Sequence, residues 1–143
     1  MTPYFVPDDL ILESLCIAAK RGIDLRLVVP DRSNHRLADL VREAYLSQLQ
    51  EAGGKIMLYK PKMMHAKVYL IDDRAAVTGS VNMDMRSLLL NYEAALCVYS
   101  RELIYQFDAW MRAQMIQCHP RKQRTGTALG IIEGMGRLVA PLL

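Results

Sequence analysis

The chain has 143 residues, of which 52% are apolar and 23% charged, with a formal net charge of +3. That length suits one hydrophobic core and is too short for two, and the composition is that of an ordinary globular domain. No apolar run reaches the roughly 20 residues a membrane-crossing helix requires, and the mild basic excess by itself names no partner.

Thr2 to Val6 reads as the last part of a strand and its exit turn, so the chain is expected to start mid-strand. A helix follows from Asp8, a residue suited to capping free N–H groups, to Lys20. Leu12, Leu15, Cys16 and Ala19 fall at helical spacing, and Gly22 is the stop. Asp24 to Val29 predicts a buried strand, and Pro30 to Asn34 a loop. A second helix is expected from Arg36 to Glu51, with Leu37, Leu40, Val41 and Ala44 as its apolar stripe and Gly53-Gly54 as its end. Strands are expected at Lys55 to Tyr59, His65 to Ile71, Ala75 to Thr78 and Asn91 to Tyr99. Arg101 to Gln117 predicts a helix turning Leu103, Ile104, Phe107 and Trp110 to the core. Beyond it the chain becomes basic and glycine-rich, with a short amphipathic helix possible over 132–142.

Alternating strands and helices of this kind predict an α/β fold, a mixed β-sheet flanked by helices. The expected organisation is one catalytic half-domain over residues 1–118 and a tail over 119–143. Cys16, Cys97 and Cys118 are odd in number and widely spaced, so neither a disulfide framework nor a CxxC metal site can be read from them. Cys16 and Cys97 lie in apolar runs and are expected to be buried free thiols.

One stretch carries chemistry. Residues 65–82 read H-x-K-x4-D-x6-G-S-x-N, with His65, Lys67, Asp72, Gly79, Ser80 and Asn82 in one register. Taken singly, Asp72 reads as a turn residue beside Asp73 and Arg74, and Ser80 and Asn82 as turn or capping residues. Taken together they suit a phosphate group. Alternation along a strand sends His65 and Lys67 to one face and Ala66, Val68 and Leu70 to the core. A histidine beside a lysine at a strand end forms a phosphate-binding pair.

This register resembles the HKD signature of the phospholipase D superfamily, in which two such motifs meet at one site, from two halves of a chain or from two identical subunits. The resemblance implies that His65 is nucleophile or general acid and that Lys67 and Asn82 hold the phosphoryl oxygens. It also implies that Ser80 adds a hydrogen bond near the phosphate and that Glu93 orients the histidine. Asp72 would have a supporting catalytic role. No metal or other cofactor is called for.

Three stretches, Thr2 to Asp8, His65-Ala66-Lys67, and Asn82-Met-Asp-Met-Arg-Ser87 with Asn91-Tyr-Glu93, together with the closing Arg137 to Leu143, are similar to the second half of bacterial cardiolipin synthases. Lys62 and Met63 depart from the glycine and aromatic residue common before the motif there, and Leu88 from a common phenylalanine. This resemblance implies phosphatidyl transfer between two phosphatidylglycerol molecules, giving cardiolipin and glycerol through a phosphohistidine. The chain would then be the C-terminal half of a two-motif enzyme at the bacterial inner membrane, peripheral or attached through an upstream region. A homodimeric phosphodiesterase or nuclease, or an inactive half serving as an assembly surface, are the alternatives. With 7% aromatic residues, little favours a nucleic-acid partner over lipid.

Overall fold

The structure is a computed structural model and describes residues 1–33 and 36–122. The expected helix over 132–142 and all of the tail beyond residue 122 lie outside the described residues, as do Asn34 and the side chains of Leu37 and Leu40. The elements run β1 (Phe5–Val6), α1 (Asp9–Lys20), β2 (Arg26–Pro30), α2 (Arg36–Glu51), β3 (Lys55–Tyr59), β4 (Val68–Ile71) and β5 (Ala75–Gly79). They continue as β6 (Met83–Asp84), α3 (Met85–Leu89), β7 (Ala95–Val98), α4 (Arg101–Met115) and β8 (Cys118–Pro120).

Local signals account for the first helix. The Asp8 carboxylate accepts the Ile11 N–H at 2.8 Å, satisfying one of the unpaired donors of the first turn. At the other end Gly22, with φ of +86°, lets the chain leave the helix. Leu12, Cys16 and Ala19 form the buried face.

The strands form three ladders: β2 parallel to β3 with β8 antiparallel at its edge, β4–β5–β7 antiparallel, and β1 parallel to β6. The first residues join the two larger ladders. Thr2 N–H donates to the Val28 carbonyl at 3.1 Å, while the Met1 amine donates to the Val68 carbonyl at 2.7 Å and Val68 N–H returns to Met1 at 3.1 Å. The layer therefore runs β8–β3–β2, then Met1–Thr2, then β4–β5–β7, a mixed sheet as expected.

Alternation along the strands supplies two cores. Leu27, Val29 and Ile56 pack under α1 and α2 with Leu12, Leu46 and Leu49. Val28 and Tyr59 face the other way with Met1 and Met64, against Met111 and Met115 of α4. Ala76, Val98 and Ile104 continue that side, with Leu70 and Phe107. Each fully buried leucine contributes about 2 kcal/mol.

Several expectations are corrected. The strand expected from His65 begins only at Val68, and the one expected over 91–99 is Ala95–Val98. In both, the residues nearest the motif leave the ladder. The strand expected over 24–29 runs Arg26–Pro30. On α4, Ile104 is buried and Phe107 packs on the core, but Leu103 and Trp110 are exposed, because the helix turns a narrower stripe inward than its apolar content suggests. Cys16 is buried and Cys97 is exposed, since β7 is the edge strand of its ladder and is open on that face.

α4 ends at Met115, and the division expected after residue 118 falls inside β8. Arg121 clasps that strand to α2. Its guanidinium donates to Gln50, to Glu43 at 2.9 Å and to Ser47 at 2.9 Å, while Gln50 returns a hydrogen bond to the Arg121 carbonyl.

Candidate active site

The topology gathers the motif at one end of the second ladder. β4 starts at Val68, β5 ends at Gly79 and β7 starts at Ala95, with β5 antiparallel to both neighbours. His65 and Lys67 enter this end, Ser80 and Asn82 leave it, and Glu93 returns to it. Asp72 does not come with them. It occupies the turn at the opposite end of β4, with φ of +49°, separated from Lys67 by the four residues of the strand and therefore roughly 15 Å away. There it lines an open cleft of about 540 Å³ with Arg26, Leu70 and Asp108. The geometry assigns Asp72 the turn, a left-handed position an aspartate tolerates better than most residues.

His65 is exposed, whereas Lys67 is buried at 8% exposure. The Lys67 ammonium folds back to donate to the His65 carbonyl at 3.0 Å, and Thr78 Oγ1 donates to the Lys67 carbonyl at 3.0 Å. Burial lowers the Lys67 pKa, and the nearby carboxylates of Glu93 and Asp84 oppose that shift. A lysine held this way keeps donors in reserve, because one carbonyl uses only one of its three N–H groups.

Gly79 and Ser80 make the tight corner. A Cβ on Gly79 would collide with the Ala94 carbonyl oxygen, so no larger residue fits. Ser80 N–H donates to that carbonyl at 2.9 Å, and Ala94 N–H donates to Ser80 Oγ at 3.0 Å. These bonds tie the residues before β7 to the end of β5.

Asn82 donates to Ser87 Oγ at 3.2 Å, and its own Oδ1 is buried with no hydrogen-bond partner. Turned over, the amide would accept from the Ser87 hydroxyl through Oδ1 and leave its N–H donors free for an anion. Glu93 is held below its usual carboxylate pKa by the Ser80 side chain first, then by Ser87, Asn91 and the charge of Lys67. Among the described residues its hydrogen bonds do not include His65.

Three supporting residues escaped the sequence reading. Asp84 caps α3, its carboxylate accepting the Ser87 N–H at 2.8 Å, and Ser87 is buried against Asn82. The spacing Asp84-x-x-Ser87 is a helix-start signal, obscured because α3 has only five residues. Tyr69 OH donates to the Val81 carbonyl at 2.8 Å, steadying the approach to Asn82.

The arrangement can bind an anionic, tetrahedral group: a buried cation, an amide and a hydroxyl share one end of the ladder with an exposed imidazole. Comparison with known proteins gives the family and the fold. The family described as "Cardiolipin synthase, PLD-like domain" matches residues 1–115. The chain belongs to this family. Cardiolipin synthase 1 of Bacillus anthracis is 36% identical to this phospholipase D-like domain over 99% of the chain, which spans 29% of that relative's length. Among solved structures, the phospholipase D family member Nuc of Salmonella typhimurium aligns with a TM-score of 0.72 at 23% identity, over 83% of this chain and 78% of that one. Phosphatidylserine synthase of Haemophilus influenzae aligns with a TM-score of 0.71 at 16% identity, over 99% and 40%. Both likenesses establish the fold.

Proposed function

We propose that the domain is the C-terminal catalytic half of a two-motif phosphatidyltransferase that joins two phosphatidylglycerol molecules into cardiolipin and glycerol. The observation that carries this reading is the convergence of His65, Lys67, Ser80, Asn82 and Glu93 on one end of the β4–β5–β7 ladder in a chain of this family.

A phosphodiester repels nucleophiles, so cationic and amide donors must offset the charge that builds on its oxygens. One imidazole, His65 or its counterpart in the other motif, attacks phosphorus. The bond from phosphorus to the glycerol oxygen breaks, and the second histidine gives that oxygen a proton, so glycerol leaves. The hydroxyl of a second phosphatidylglycerol then attacks the phosphohistidine, yielding its proton to the second histidine and restoring the first. Lys67 and Asn82 hold the non-bridging oxygens and Ser80 adds a hydrogen bond. Glu93 is the carboxylate that orients His65 once substrate is bound, since catalytic hydrogen bonds commonly tighten only in the complex. Asp72 supports the site from its turn, through β4.

The reaction is expected at the inner membrane of a bacterium, with the domain peripheral or attached through other parts of the protein. No described helix is long and apolar enough to cross a membrane. The test is to assay phosphatidylglycerol vesicles with this domain plus the half that carries the other motif, in excess chelator. Cardiolipin should form, and a phosphatidyl adduct should be trapped on a histidine. Activity that disappears with chelator and returns only with added metal would contradict the phosphohistidine route.

A second reading is a phosphodiesterase in which two copies of the chain complete one site. It is favoured by the match covering 78% of Nuc, a solved single chain of nearly this size. Turnover of a soluble phosphodiester by a dimer of this chain alone would select it.

A further inference from the structure

The rim around the candidate site is apolar and cationic at once. Leu89 is 63% exposed, Leu90 71% and Tyr92 fully exposed. All three lie where α3 ends and the chain returns to Glu93. Leu10, 77% exposed in the first turn of α1, stands at the same end of the sheet, because β1 runs parallel to β6 and delivers its helix there. Lys60 and Lys62 are exposed on the segment leading into His65, and Arg86 is exposed on α3.

Two further properties narrow what such a rim meets. Lysine is depleted where proteins bury surface against each other, yet two exposed lysines stand on the short segment that leads into His65. Leucines and a tyrosine at a tip, with lysine and arginine beside them, match the layering of a bilayer interface. The leucines reach the acyl boundary, the tyrosine lies at headgroup depth and the cations meet anionic phosphates. The exposed apolar residues of α4, among them Tyr105, carry no such relation to the site.

We propose that the α3–β7 loop, through Leu89, Leu90 and Tyr92, with Arg86 on α3 and with Lys60 and Lys62 on the segment leading into His65, seats the domain on an anionic phospholipid bilayer. It brings His65 to headgroup depth. The proposal rests on the lipid reading above and adds the surface that performs the delivery. A two-chain phospholipid leaves a bilayer only at a cost of about 0.8 kcal/mol for each methylene exposed to water. A site that descends to the headgroup avoids that cost.

The test is cosedimentation of the 143-residue chain with vesicles of phosphatidylglycerol and phosphatidylcholine, and with phosphatidylcholine alone. Binding should require phosphatidylglycerol and weaken with salt. Leu89→Ser combined with Leu90→Ser, and Tyr92→Ser alone, should each lower binding by about tenfold or more, while Tyr105→Ser leaves it unchanged. Thermal unfolding checks that each variant is folded. Should the leucine pair not fold, Tyr92→Ser decides, together with a blue shift of Tyr92→Trp emission on vesicles.

Loop variants that bind like the parent, or Tyr105→Ser losing as much as they do, would overturn the proposal. So would loop variants that dissociate a dimer without changing vesicle binding, since the patch would then be a protein interface. Partition is read without turnover, so the two readings fail separately. Loop-dependent binding with no cardiolipin formed leaves the docking surface standing, and cardiolipin formed with loop-independent binding removes it alone.

Discussion

His65 and Lys67 show how differently two neighbouring motif residues are held. His65 is exposed and packs against little, so His65→Ala is expected to abolish transfer while leaving the unfolding midpoint where it was. Retained turnover in a complex with no other copy of His65 would remove its chemical role. Lys67 is buried, and its loss takes a preorganised donor from the phosphate. Lys67→Ala should cost roughly 10²–10³ in kcat, and a change below about tenfold would reduce it to a packing residue. Met1 offers a residue-scale prediction about pH. Its amine is buried against the Val68 carbonyl, and burial lowers its pKa from 8.0 to about 5. The unfolded amine binds a proton between those values and the folded one does not, so stability rises with pH through that window. The full effect is about 4 kcal/mol, lost as pH falls from 8 to 5. Urea unfolding at pH 5, 6.5 and 8 should show the dependence in a chain that starts at Met1. An N-acetylated form, which presents an amide N–H instead, should lose it.

At the scale of elements, the corner between β5 and β7 sets the site. The Ser80–Ala94 hydrogen bonds pull residues 91–94 out of the ladder and place Glu93 beside Ser80. That accounts for the strand beginning at Ala95, not Asn91. Because a Cβ on Gly79 meets backbone and not a yielding side chain, Gly79→Ala must push the two segments apart. It should destabilise the fold by about 2 kcal/mol and lower transfer further, since Ser80 and Glu93 move with the corner. Thermal unfolding with the vesicle assay checks both; an unchanged midpoint would mean the corner relaxes freely. The α3 helix belongs to the same device. Five residues are too few to be stable by propensity, so it stands on the Asp84 cap and the Ser87–Asn82 bond.

For the whole molecule the deciding property is completeness. One motif supplies one histidine, whereas the proposed route needs a nucleophile and an acid on opposite sides of phosphorus. A monomer of this chain is therefore expected to be close to inactive on any phosphodiester. Activity should appear on phosphatidylglycerol vesicles when the half carrying the other motif is supplied, or on a soluble substrate when the chain forms a symmetric dimer. Sedimentation run beside both assays separates these outcomes. A monomer that turns over either substrate unaided would overturn both, and a chain inactive under every condition would leave the assembly-surface alternative.

Much of the architecture was legible in sequence because its signals are local. Asp8 and Gly22 bracket α1, the period of α2 marks Arg36–Glu51, and Gly53-Gly54 precedes β3 at Lys55–Tyr59. The motif was legible for a different reason: six residue types in one register serve one chemistry, whatever surrounds them. Tertiary structure decided the rest. Asp72 belongs to the register in sequence, yet a strand's length puts it at the far end of β4 from Lys67, and only the antiparallel ladder reveals which ends meet. The same ladder makes β7 an edge and exposes Cys97 within an apolar run. β8 exists because β3 offers it a free edge and Arg121 finds partners on α2, all of them more than sixty residues away in the chain. Pairings of that kind depend on which backbone groups and charges approach in space, and no local pattern of side chains encodes them.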